Sequence, residues 1–282
     1  MTLQAGGQDT ATSALTLLTS GTANVKGDYV QLISALGFAA RGIWIDISNG
    51  SAIGSQIILD IAADAAGGTT YLVVIPDLWV PNARDFVRSR VFIPKSFTSG
   101  SSIAARIQSA GSGVTCTVAI LLDSQGQLPT IASITALNVS TSGATNATSI
   151  DPGGVANTKG GYTEIIPSTA EAYDGLIVVA ALDNTTVGAA QNWLVDIATG
   201  AAASEVVAIP NLHFLADTAR DGIINPYAVV PISIPISTRL SANPQCDSID
   251  ATDRLIDDFA IYGYVNNRDA RVPRAELSLG VM

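Results

Sequence analysis

Five aspartates crowd one short stretch near the end of the chain: Asp247, Asp250, Asp253, Asp257 and Asp258 in "CDSIDATDRLIDDF". Carboxylates at this density could supply the oxygen ligands of a Ca²⁺ ion. Their order lacks the spacing of an EF-hand loop, and the matching stretch of the first half, "SAGSGVTCTVAILL", has no carboxylate. Segment 247–258 therefore reads as solvated loop acids, with calcium as the alternative. His213 is the sole histidine and lies between Leu212 and Phe214, a setting for a packed or hydrogen-bonded ring. Cys116 and Cys246 fit no zinc spacing; Cys116 sits among apolar neighbours as a packed thiol, and pairing of the two is open at the level of sequence. No nucleophile elbow, phosphate loop or dinucleotide fingerprint occurs. The expectation is a chain with no catalytic residue, no metal and no cofactor, hence not an enzyme.

Contact residues are a different matter. Of the three tryptophans, Trp44 and Trp193 lie in strand-like runs and read as core or interface anchors. Trp79, in "IPDLWVPNARD", sits beside a loop and is the best aromatic candidate for touching a partner or stacking on a sugar. Arg84 and Arg220 stand in the twice-written "ARD". Arg268, Arg271 and Arg274 give the last segment a basic character that suits docking on an acidic neighbour. The chain as a whole is acidic, at −10, which argues against a phosphate-seeking nucleic-acid binder. No apolar run reaches the roughly 20 residues of a membrane-spanning helix. The start has no basic region ahead of an apolar one, so no secretion leader is expected, and assembly in a reducing cytoplasm follows.

The elements that position these residues are short. "YVQLI", "GIWIDI", "SQIILDIA", "TYLVVIP", "SIAARIQ" and "VTCTVAILL" are rich in Ile, Val, Thr and Tyr. They are punctuated by "SNGS", "AAGGTT", "TSGSS" and "SAGSG". Hydrophobic residues make up 48% and charged residues 13%, too few charges for the wet faces of helices. In "GIWIDI", Ile43, Ile45 and Ile47 share one face and Trp44 and Asp46 the other. The all-apolar runs suit strands covered on both sides.

The pattern is written twice. "GTANVKGDY" at Gly21–Tyr29 returns as "GVANTKGGY" at Gly154–Tyr162, followed in order by "LDIA"/"VDIA", "VIPDL"/"AIPNL" and "ARD"/"ARD". A period this long marks a duplicated domain. The fold class is all-β: two tandem antiparallel β-sandwich domains with jelly-roll-like topology. The expected division is an N-terminal arm over 1–20, sandwiches over 21–127 and 154–266, a linker over 128–153 and a C-terminal tail over 267–282. Few polar residues recur: Asn24/Asn157, Lys26/Lys159, Asp60/Asp196, Arg84/Arg220, Asp85/Asp221 and Gln108/Gln245. These read as turn capping and local ion pairing rather than a ligand site present twice. Gly27 and Gly160 are expected to allow positive φ.

"FIPKSFTSGSSIAARIQS" and "VVPISIPISTRLSAN" combine an Ile-Pro strand start, a Gly/Ser/Thr turn and, in the first, an apolar-Ala-Ala-Arg strand. This resembles segments of structural proteins of tailed bacteriophages, among them accessory capsid and fibre-like virion proteins. The second copy departs from the pattern, with Asn243 at the position of Arg106. The resemblance implies a virion component assembled in the bacterial host cytoplasm. It would be a capsid-decorating or head-fibre protein, with a tail appendage close behind. Its partners would be further copies of itself and other virion proteins. A carbohydrate-binding or adhesin module on the same fold is the alternative from another class.

Overall fold

The computed structural model describes residues 2–6, 8–9, 14–49, 56–80, 89–125, 129–141, 146–182, 191–217, 222–223, 226–249 and 254–267. Every regular element among them is a strand. In chain order the first half gives β1 (Leu3–Gly6), β2 (Gln8–Asp9), β3 (Ala14–Thr19), β4 (Val30–Ile33), β5 (Gly42–Asn49), β6 (Ile57–Asp64), β7 (Leu72–Val80), β8 (Ser89–Ile93), β9 (Ser102–Ser109) and β10 (Thr115–Asp123). The second half gives β11 (Ile131–Ala136), β12 (Thr148–Ile150), β13 (Thr163–Ile166), β14 (Tyr173–Ala181) and β15 (Gln191–Thr199). It continues with β16 (Val206–Asp217), β17 (Gly222–Ile223), β18 (Tyr227–Ile234), β19 (Leu240–Cys246) and β20 (Ile256–Asn266).

Four antiparallel sheets form two sandwiches. The first pairs a six-stranded sheet, β2-β3-β10-β5-β8 with β1 also on β10, with a four-stranded sheet, β4-β9-β6-β7. The second repeats the order as β11-β20-β14-β18, with β12 also on β20, and β13-β19-β15-β16-β17. Pairing β3 with β10 and β5 with β8 in one sheet, and β4 with β9 and β6 with β7 in the other, is jelly-roll connectivity. The duplication seen in the residues is thus a duplication of topology.

Two expected divisions change. The stretches taken as a terminal arm and a linker are strands of the sandwiches. β3 and β1 lie in succession along one edge of β10, at Thr115–Val118 and Ile120–Asp123. β12 and β11 do the same along β20. The long last strand of each jelly roll would otherwise leave its backbone N–H and C=O groups unpaired, and the preceding Thr/Ser/Ala-rich chain satisfies them. Low charge here signals a strand rather than an arm.

Alternation explains the cores. Ile43, Ile45 and Ile47 on β5 face Cys116, Val118, Ile120 and Leu122 on β10, all essentially inaccessible. On β14 the apolar run has two owners. Leu176, Val178 and Ala180 belong to the second sandwich's core, whereas Ile177, Val179 and Ala181 pack into the core cluster of the first. The second sandwich therefore presents the outer face of its β14–β20 sheet to the first sandwich. Burial on both faces is the reason β14 carries no polar residue from Leu176 onward. Cys116 and Cys246 are free buried thiols in different core clusters, which answers the pairing question.

Candidate binding surfaces

The repeated polar residues converge. Asp60 stands where the β6–β7 ladder slips register, between Leu59 and Ile61, and its side chain is 3% exposed. Its Oδ1 accepts from Lys26 Nζ at 2.8 Å and from the Asp77 backbone N–H at 2.9 Å. Its Oδ2 accepts from Arg106 Nε at 2.9 Å. Lys26 also bonds the Asp77 carboxylate, and Tyr29 lies under the Arg106 guanidinium at 4.4 Å. The second copy keeps the frame: Lys159 pairs with Asp196 at 2.9 Å, and the Asn211 N–H donates to Asp196 at 2.7 Å. Arg106 is replaced by Asn243, whose Oδ1 is buried without a partner.

The twice-written phrase is the other half of this lock. Asn24 and Asn157 take the left-handed conformation at φ 58° and 57°. Their N–H groups donate to the carbonyls of Ser109 and Cys246, and those of Gly27 and Gly160 to Ile107 and Pro244. The expectation of positive φ at the two glycines is overturned. They are glycine because a Cβ at Gly27 would come within 2.4 Å of the Thr19 carbonyl oxygen, and one at Gly160 within 2.8 Å of Asp151 and Pro152 backbone. The phrase ties its loop to the last three residues of β9 or β19, and Lys26 or Lys159 nails it to the bulge. An open depression of about 540 Å³ lies over Lys26, Asp60, Asp77 and Arg106. Both oxygens of Asp60 are spoken for by the fold, so the depression reads as the mouth of a structural lock.

The expected contact residues fare unevenly. Trp79 is 1% exposed, so its role as a surface contact is corrected. It is buried because β7 is the edge that packs on the second sandwich. Tyr262 Oη accepts from the Trp79 N–H at 2.8 Å and donates to the Asp77 carbonyl at 2.7 Å, while Tyr227 Oη donates to the Trp79 carbonyl at 2.8 Å. Burial pushes both phenols far above the ordinary tyrosine range and keeps them protonated donors. Trp193 is a core residue whose Nε1–H donates to the Arg254 carbonyl. Arg84, Arg220, Arg268, Arg271 and Arg274 lie outside the described residues, as do Asp250 and Asp253. Asp247 clamps the backbone and amide of Asn192, and Asp258 accepts from the Ala147 N–H. His213 is exposed on β16, 3.2 Å from Asn192 Oδ1.

Two apolar surfaces were not singled out by sequence. Leu72 and Val73, at the start of β7, are 72% and 40% exposed; Val206 and Val207, at the start of β16, are 67% and 43% exposed. "VIPDL" and "AIPNL" fix these as equivalent positions. The second surface is the outer face of the β10–β5–β8 sheet. A row of cross-strand neighbours runs Ala5–Leu121–Trp44–Phe92, with the Trp44 and Phe92 rings 4.8 Å apart. Beside it Arg90 makes two 2.7 Å bonds to Asp46. Trp44 is the anchor type expected, but it stands on the outside of its sandwich.

No family model and no curated protein matches the chain. Among solved structures it is similar to the N-terminal tandem of two CBM22 domains from Paenibacillus barcinonensis Xyn10C. That match has 11% identity and a TM-score of 0.26, covering 93% of this chain and 91% of the other. At that score the likeness carries no weight for ligand or function.

Proposed function

We propose that this chain is a non-enzymatic structural subunit of a bacteriophage particle, which binds other subunits through the surfaces of its two sandwiches. The observation that carries the reading is the duplicated apolar tip. Singly exposed aliphatics are ordinary on any protein surface. Here two adjacent ones are exposed at the same place in both copies, at the start of β7 and at the start of β16. Two equivalent sticky tips on a tandem suit a partner that itself offers repeated sites, as a shell or tail built of many copies does. The virion context comes from the resemblance of the "FIPKSFTSGSSIAARIQS" segments to tailed-phage structural proteins. A head-decorating or head-fibre role comes first and a tail appendage second.

The test is mass spectrometry of purified particles. The protein should be present, its copy number separating a lattice-wide coat from a few-copy appendage. The Leu72→Asp/Val206→Asp double variant should lose incorporation while keeping its melting temperature. Absence from particles, or undiminished incorporation of the variant, refutes the reading.

A specific observation favours a second reading, a carbohydrate-binding module. The exposed Trp44 ring, with half-buried Phe92 against it, offers a ring face for a sugar, and Asp46 and Arg90 beside it offer hydrogen-bonding groups. Glycan-array binding abolished by Trp44→Ala would establish it; a blank array would remove it.

A further inference from the structure

The contact that joins the two sandwiches has a sheet face on one side and a strand edge on the other. The face is the outside of the β20–β14–β18 sheet: Tyr262, Ile177 and Val229 in one cross-strand row, Ala260, Val179 and Tyr227 in the next. The edge is β7, whose Trp79 N–H and C=O are satisfied by the two tyrosine hydroxyls. Because the jelly roll is duplicated, each half of this contact has a counterpart elsewhere on the chain, and among the described residues neither counterpart packs on another sandwich. The counterpart of the face is the outside of the β10–β5–β8 sheet, where Leu121, Trp44 and Phe92 occupy the places of Tyr262, Ile177 and Val229. The counterpart of the edge is β16, on which His213 occupies the place of Trp79. Among the described strands, β16 is paired on its far side only at Ala216 and Asp217, by β17.

We infer that the outer face of the β10–β5–β8 sheet is the seat of a second copy of this chain, which lays the β16 edge of its second sandwich across it. The inference deepens the structural-subunit reading and rests on it. The chemistry of the open face suits an incoming edge. Arg90 stands where Tyr227 stands in the internal contact and is a donor for the His213 carbonyl. Asp46 stands where Val179 stands and is an acceptor for the His213 N–H. The Arg90–Asp46 pair is exposed, so exchanging partners costs little. An edge strand left with unpaired backbone groups is itself a docking template. Face and edge are different surfaces, so the contact is heterologous. Each copy offers one of each, and growth runs head to tail into a filament or a closed ring.

The experiment uses the full chain and two variants at exposed positions: Trp44→Arg blocks the face and His213→Glu blocks the edge by placing a carboxylate opposite Asp46. Light scattering after size exclusion should show wild-type mass rising with concentration past that of a dimer. Either variant alone should stay monomeric, with unchanged melting temperature. The equimolar mixture should form a dimer and nothing larger, since each variant retains the half that the other has lost. Leu121→Lys serves as the face variant if Trp44→Arg melts early. A wild type that remains monomeric, a variant that still self-associates, or a mixture that stays monomeric overturns the inference. A chain that is monomeric in solution yet present in purified particles overturns it while leaving the structural-subunit reading in place.

Discussion

Replacing Asp60 by alanine tests the reading of the repeated polar residues as a lock. The change removes one carboxylate that holds Lys26, Arg106 and the Asp77 N–H at 2.8–2.9 Å, in a side chain 3% exposed. Removing one partner of a buried ion pair costs about 3–5 kcal/mol. Lys26 keeps the Asp77 carboxylate, and Arg106 keeps the Tyr29 ring, which sets the expectation near ~3 kcal/mol. The equivalent Asp196→Ala should cost less, about 1–2 kcal/mol, because Asp196 is 13% exposed and Lys159 retains its 2.8 Å bond to the Leu194 carbonyl. In a unit of this size the first loss lowers the midpoint by roughly 10 °C. Calorimetry of both variants, with urea unfolding followed by tryptophan fluorescence, reads the two costs. An Asp60→Ala variant within about 1 kcal/mol of wild type, or one milder than Asp196→Ala, refutes the lock.

Tyr262→Phe removes the hydroxyl that accepts the Trp79 N–H and donates to the Asp77 carbonyl. With Trp79 buried, the orphaned groups should lower stability by about 1–3 kcal/mol in urea titration, and no loss would mean that water reaches the contact. Burial pushes the Cys116 thiol up to about 12 and Cys246 to about 11, so neither should react with a thiol reagent at neutral pH until the chain is unfolded. Cys116 carries a pH signature as well. An unfolded thiol ionises near ~8.5, so the stabilisation is complete below that and drains away as the pH rises towards 12, where the folded group ionises too. Cys116→Ala should flatten that part of the alkaline stability profile, and an unchanged slope would contradict it.

What the residues disclosed follows from what local chemistry can encode. Strand alternation in "GIWIDI" and turn chemistry fixed the class, and the ordered matches disclosed the duplication. β1, β3, β11 and β12 escaped because the equivalent strands, "LQAG" with "IASITA" and "ALTLLT" with "TSI", share too few residues for a repeat search to match; their likeness is in the edge they complete. Trp79 was misplaced for a related reason. Beside a loop in sequence, it is covered by Tyr227 and Tyr262, whose separations of 148 and 183 residues no local pattern reveals. The all-apolar run of β14 did carry the signal. A strand that shows no polar residue on either face must be covered twice, and here the second cover is the neighbouring sandwich.

The comparison between copies separates what the fold needs from what the surface does. Asn24, Lys26, Gly27 and Asp60 recur as Asn157, Lys159, Gly160 and Asp196, and all of them act within their own sandwich. A duplicated ligand site would keep its outward groups and let the supports drift. Here the reverse holds, since Arg106 gives way to Asn243 at the rim while the lock beneath is retained. The outer sheet faces differ in the same instructive way. Val179, buried inside the chain, and Tyr227, half-buried against Trp79, correspond to Asp46 and Arg90, which remain wet. A face destined for permanent burial can be apolar throughout, whereas one that must stay soluble until a partner arrives needs charges that can be re-paired. The Asp46–Arg90 pair meets that condition, and Trp44 beside it keeps the apolar area that makes the later contact favourable.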